Sequence, residues 1–165
     1  MGKIALLPLI GMVLASPAYA LTDECTYDQS DQLKKLQSVA AAKANSRVIA
    51  GERQVTWTGR DQTHWSLVYG GCAHLGFAIT SSRARKLPAK QGEVLQAAAR
   101  MAAEFWDPSD AADLRAAIAS GKFEKRTDQA VTHFSFAHES YDVFEVEHNF
   151  EQRTERITVR WVRSF

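Results

Sequence analysis

Five histidines, His64, His74, His133, His138 and His148, are the side chains of this sequence best suited to hold a metal or move a proton near neutral pH. No two stand at the i, i+4 spacing of a metal-binding helix, and neither His-Glu-x-x-His nor Cys-x-x-Cys occurs. Strand parity nevertheless sets His64, His74 and His133 on one face of the expected sheet. A metal or acid–base site built from those three with a nearby carboxylate is one reading of them, and ordinary polar residues on a wetted face is the other. His148 falls among Phe144, Val146 and Phe150, and is expected to be a core histidine hydrogen-bonded to Thr132 across a strand pair.

Nucleophile chemistry has little to start from. There is no Gly-x-Ser-x-Gly elbow, and Ser135 beside His133 follows no recognisable triad order. Glu145 and Glu147 have the right chemistry for paired-carboxylate hydrolysis, but Arg156 or Arg160 is expected opposite them across a hairpin, in cross-strand pairs worth roughly 0.2–1 kcal/mol each. No catalytic residue, metal ligand or cofactor is assigned from these patterns.

The most distinctive stretch is Tyr69-Gly70-Gly71-Cys72-Ala73-His74-Leu75-Gly76. Glycines on both sides of Cys72 allow a tight turn or a close backbone approach. With Cys25, the other of two cysteines, Cys72 allows a single disulfide pairing, for which loop closure predicts about 4 kcal/mol of stabilisation. Gly70, Gly71, His74 and Gly76 are therefore the candidate partner-binding residues, on a stapled tip whose rigidity lowers the ordering cost of binding. The one dense basic run, Ser82-Arg83-Ala84-Arg85-Lys86, reads as a solvated connection or as a contact for an acidic partner.

The disulfide needs an oxidising compartment, and the first residues supply the address. Met1-Gly2-Lys3, an apolar run from Ile4 to Leu14 and Ser16-Pro17-Ala18-Tyr19-Ala20 have the layout of a secretory signal peptide over residues 1–20, with cleavage expected after Ala20. The apolar run is shorter than the roughly 20 residues of a membrane span, so no anchor is expected after cleavage. Removing Lys3 leaves 19 basic against 19 acidic side chains. That balance argues against a nucleic-acid binder, which needs a basic patch.

Residues 21–165 are expected to form a single α+β domain. Leu33, Leu36, Val39 and Ala40 give a helix from Ser30 to about Asn45. A second helix runs roughly from Gln91 to Trp106, and a third follows from Pro108 to Ser120, with Asp107 as its cap and Gly121 closing it. Alternating runs over 47–57, 63–69, 73–79, 131–136, 143–150 and 156–161 predict an antiparallel sheet of about six strands in two hairpin groups, with three helices packed on one face. For the apolar sets of the second and third runs to share a face, the simplest hairpin pairs Tyr69 with Ala73, Leu67 with Leu75 and Trp65 with Phe77 around Gly70-Gly71-Cys72.

These features lead to the expectation of a periplasmic or secreted binding protein whose partner is a protein in the envelope or outside the cell. Inhibitors of cell-wall-degrading enzymes and immunity proteins against toxins are of this class. Two alternatives stay open: an envelope enzyme or metal protein using the sheet-face histidines, and a small-ligand carrier with a cavity lined by Trp65, Phe77, Phe105, Phe134 and Trp161.

Overall fold

A computed structural model describes residues 30–49, 51, 53–69, 74–137 and 142–164. The expected signal peptide and both cysteines lie outside these residues. Helix α1, Ser30–Ala42, exists because Leu33, Leu36, Val39 and Ala40 recur on one face. Leu36 is fully buried and the other three pack against the core. The helix ends at Ala42, three residues short of the expected Asn45; Asn45 takes a left-handed φ of 57° and the Ser46 hydroxyl donates to the Ala40 carbonyl at 2.7 Å.

Four strands follow as an antiparallel meander: β1 Arg47–Ile49, β2 Gln54–Thr58, β3 His64–Tyr69 and β4 His74–Ala84. Two helices come next, α2 Gln91–Phe105 and α3 Pro108–Ser120. A second meander closes the chain, with β5 Glu124–Asp128, β6 Val131–Ala137, β7 Asp142–Glu151 and β8 Thr154–Ser164. The two join through β4 and β8, antiparallel from His74↔Ser164 to Ala84↔Thr154. The result is one eight-stranded sheet in the order β1-β2-β3-β4-β8-β7-β6-β5. Its halves mirror each other: a helical segment and a four-stranded meander on each side, with each meander's last strand at the centre.

The α+β class, the three helices and the antiparallel sheet match the reading of the sequence, while the strand count rises from about six to eight. Residues 47–57 form two strands, because Arg53 turns the chain with a φ of 47°. Strand β5, Glu-Lys-Arg-Thr-Asp, is exposed at every position, so no apolar alternation marks it. It is an edge strand, where charge discourages pairing with another chain.

The β3–β4 register also differs from expectation. Tyr69 pairs with Phe77, Leu67 with Ile79 and Trp65 with Ser81, a slide of four residues along β4 that preserves the face of every side chain. A shared apolar face fixes parity alone. The shift itself is set by β8, against which β4 is paired along its whole length.

All three helices lie on one face of the sheet. Leu67, Ile79, Val146 and Val159 are fully buried beneath them, with Phe134, Phe136 and Phe144 at no more than 2% exposure. Trp57 and Trp65 stack at 5.9 Å between centroids, and Phe105 of α2 packs on both. Phe134, together with the half-buried Trp65, Phe105 and Trp161, belongs to this packed core. Asp107, expected to cap α3, makes no side-chain cap bond; its carboxylate faces Lys35 of α1 at 3.4 Å.

Candidate functional site

The candidate tip lies only partly within view. Gly70, Gly71, Cys72 and Cys25 are outside the described residues, while the backbone of His74 and Gly76 is described. These two stand opposite Ser164 and Val162 of β8, so both belong to a central strand. That corrects the expected pairing of His74 with Val68, whose partners are Gln54 and Ala78.

The three histidines on the helix-free face do not converge. His64 pairs with Thr58 and Ser82, a correction to the expected Ala78. His133 pairs with Arg126 and Glu147. Three strands, β4, β8 and β7, separate β3 from β6, about 19 Å at the spacing of hydrogen-bonded strands. His74 lies eight positions along β4 from the row of His64. Among the described residues no group of three or more His, Cys, Asp or Glu side chains is placed to hold a metal.

The strongest convergence of charged groups lies on the helix side and was not foreseen. Glu155, only 1% exposed, is the second residue of β8 and shares the parity of Ile157 and Val159. Its Oε2 accepts from Arg83 Nε at 3.3 Å, Arg83 Nη2 at 3.1 Å and Arg85 Nη1 at 3.1 Å. Its Oε1 accepts from the Ala89 N–H at 2.9 Å and from His148 Nε2 at 3.2 Å. Arg85 reaches on to Glu93 of α2 at 2.7 Å, and its own N–H donates to the Arg153 carbonyl at 2.8 Å.

Within the basic run, Arg83 and Arg85 find acidic partners inside the chain, while Lys86 is exposed. His148 does stand opposite Thr132, but it bonds Glu155, and the Thr132 hydroxyl lies 3.3 Å from that of Thr127. Burial pushes the Glu155 carboxyl up, but the Ala89 amide and then Arg83, Arg85 and His148 outweigh it, holding the group below the ordinary glutamate value. Both oxygens are occupied by donors, so this carboxylate ties the β4–α2 connection to β8 and has no face left for a substrate. The available signal was parity, which puts Arg83 and Glu155 on the apolar side of paired central strands.

The opposite face has no helix over it among the described residues, and its side chains sort into two regions. Toward the end where residues 70–73 join β3 to β4, Val68 and Ala78 are half-buried and Val143 is exposed. Beside them Arg160 pairs with Glu145 at 3.8 Å and closely with Glu147, the cross-strand partnership expected for Arg160. Arg156 stands instead opposite Asn149 and Ser82.

Toward the other end β2, β3 and β4 present hydroxyls. Thr56, Ser66 and Thr80 form one row across the strands, and Thr58, His64 and Ser82 the next. With Asn45 these line a depression of about 320 Å³. The rings of Trp57 and Trp65 point to the helix side, so these residues contribute main chain to its floor. Thr80 and Thr158 share a hydrogen bond at 3.0 Å, closing the neutral region against the charged one. Comparison with known proteins gives no match to this chain, whether among family models, curated proteins or solved structures.

Proposed function

We propose that this chain is an exported binding protein, periplasmic or secreted, and that its partner is a protein engaged by the β3–β4 tip and the part of the helix-free face beside it. The observation that carries the reading is the composition of that end of the sheet. Val68 and Ala78 on one side and Val143 on the other flank the Arg160–Glu145–Glu147 cluster, so apolar and charged side chains adjoin across this end, a mixture common to protein interfaces. Strands hold the patch rigidly, so little order has to be gained on binding. His74 and Gly76 stand at this end of β4, and Gly70 and Gly71 fall in the sequence between Tyr69 and His74. Inhibition of a wall-degrading enzyme or neutralisation of a toxin is the kind of task such a surface suits.

A photo-crosslinking residue placed at Val143 in the full-length precursor tests the proposal in cells. The expected result is a discrete protein adduct that disappears when Arg160→Glu or Gly71→Asp is added. No adduct, or the same adducts from a probe at Thr127 on the distant edge strand, overturns the site. N-terminal sequencing of the exported form is expected to begin at Leu21.

A further inference from the structure

The hydroxyl-lined depression stands at the far end of the helix-free face from the surface just discussed, and its chemistry is different. Its lining holds no Asp, Glu, Lys or Arg. We propose that it is one end of a binding track for a neutral oligosaccharide laid across the strands. This does not rest on the protein-partner reading.

Unspent hydrogen-bonding capacity is the first argument. A hydroxyl donates once and accepts twice. Thr56 and Ser82 are half-buried in the depression, and among the described residues their hydroxyls meet no protein group. Ser66 Oγ accepts from Gln54 Nε2 at 2.6 Å, which leaves its own O–H to point outward. Thr58 Oγ1 lies 3.0 Å from His64 Nδ1, which leaves His64 Nε2 for a ligand. Groups that both donate and accept are best satisfied by others that do the same, and sugar hydroxyls do so where peptide N–H and C=O groups each serve one role.

The second argument is continuity. A further depression of about 270 Å³ is lined by Asn149, Glu151, Gln152, Thr154 and Arg156. Register links the two directly, because Ser82 pairs with Arg156 and Arg156 with Asn149. One row therefore runs from Thr58 through His64, Ser82 and Arg156 to Asn149, and Asn45, ahead of β1, lines the depression at its start. At the spacing of paired strands the row extends about 19 Å, long enough for an extended chain of several sugar units. An extended peptide crossing the strands in this direction has no free sheet edge to pair with, so its backbone gains nothing from the ladder. No aromatic ring face lines the row, so affinity comes from hydrogen bonds and is expected in the millimolar range.

Backbone amide spectra of the 15N-labelled protein, recorded with up to about 20 mM of maltotriose, cellotriose or chitotriose, test the proposal. Tri-asparagine and inorganic phosphate serve as comparison probes. At least one trisaccharide is expected to shift the amides of Thr56, His64, Ser82 and Asn149 while leaving β5 unmoved. Thr56→Val and Ser82→Ala should each weaken it by about threefold or more without lowering Tm. The proposal is overturned if no trisaccharide perturbs these residues, if only tri-asparagine or phosphate does, or if both variants bind as the wild type does.

Discussion

His148 Nε2 lies 3.2 Å from Glu155 Oε1, across the β7–β8 ladder and one row from direct register, since His148 pairs with Ile157. The carboxylate accepts only, so the imidazole nitrogen is the donor. Through this bond and those from Arg83, Arg85 and the Ala89 amide, one buried side chain joins two central strands, their neighbour β7 and the start of α2. A residue so placed governs stability without having to touch a ligand.

Glu155→Gln, which keeps the shape but removes the charge, is expected to cost about 2–3 kcal/mol, a fall in Tm of roughly 6–9 °C for a chain of this size. Arg83→Ala should cost about 1 kcal/mol or less, because the Arg83 head is 47% exposed and solvent screens the pair. Denaturant melts of both variants decide this. Equal losses would remove Glu155 from its central role.

Acid sensitivity follows from the same group. The folded carboxyl titrates below its ordinary value of 4.5. Its contribution is therefore complete above that value and is lost as pH falls through the lowered folded value. The stability of Glu155→Gln is expected to fall less steeply than that of wild type below pH 4.5; parallel acid limbs would contradict the assignment.

Tyr69 predicts the alkaline limb. Burial, aided by the charge of Asp107, pushes its phenol up to about 12 from an ordinary 10.0. A raised folded value means stabilisation that is complete below pH 10.0 and lost as pH rises toward about 12, on the order of 3 kcal/mol for a shift of this size. Tyr69→Phe should be less sensitive to alkali than wild type in thermal melts across that range.

The β7–β8 turn is built from the wrong residues for its geometry. Gln152 and Arg153 both take left-handed φ angles, 50° and 60°, in the turn that favours Asn-Gly. Replacing them with Asn-Gly is expected to raise stability by about 1 kcal/mol, or 2–4 °C in Tm. The Arg85 N–H bond to the Arg153 carbonyl uses main chain and survives the change. An unchanged Tm would mean that the two side chains contribute as much as the backbone loses.

The proposed Cys25–Cys72 bridge makes its own prediction. After export, the denatured protein should react with no thiol reagent until it is reduced, and reduction should lower Tm by several degrees. Two reactive thiols in the unreduced protein would leave the tip unstapled.

The sequence by itself determined the class of the fold, the three helices and the face of nearly every strand residue. Leu36 in α1, Phe144 in β7 and Val159 in β8 are buried where the 3.6 and 2.0 periodicities put them, because each element must hide one apolar side whatever its neighbours are. The Arg160–Glu145 and Arg160–Glu147 pairs were legible for the same reason, since a short hairpin leaves its two strands few choices of register. Periodicity carries no information on which strand lies beside which, and only tertiary structure decided that. It set β4 against β8, slid β3 and β4 by four residues from their simplest pairing, and separated His64 from His133 by three strands. It added β5, whose charged residues have no face to hide, and it gave Arg83 and Arg85 the buried Glu155, 72 and 70 positions away. The polar row from Thr58 to Asn149 crosses five strands and is invisible along any one of them, because residues adjacent on a sheet are neighbours through hydrogen-bonded register and not through sequence.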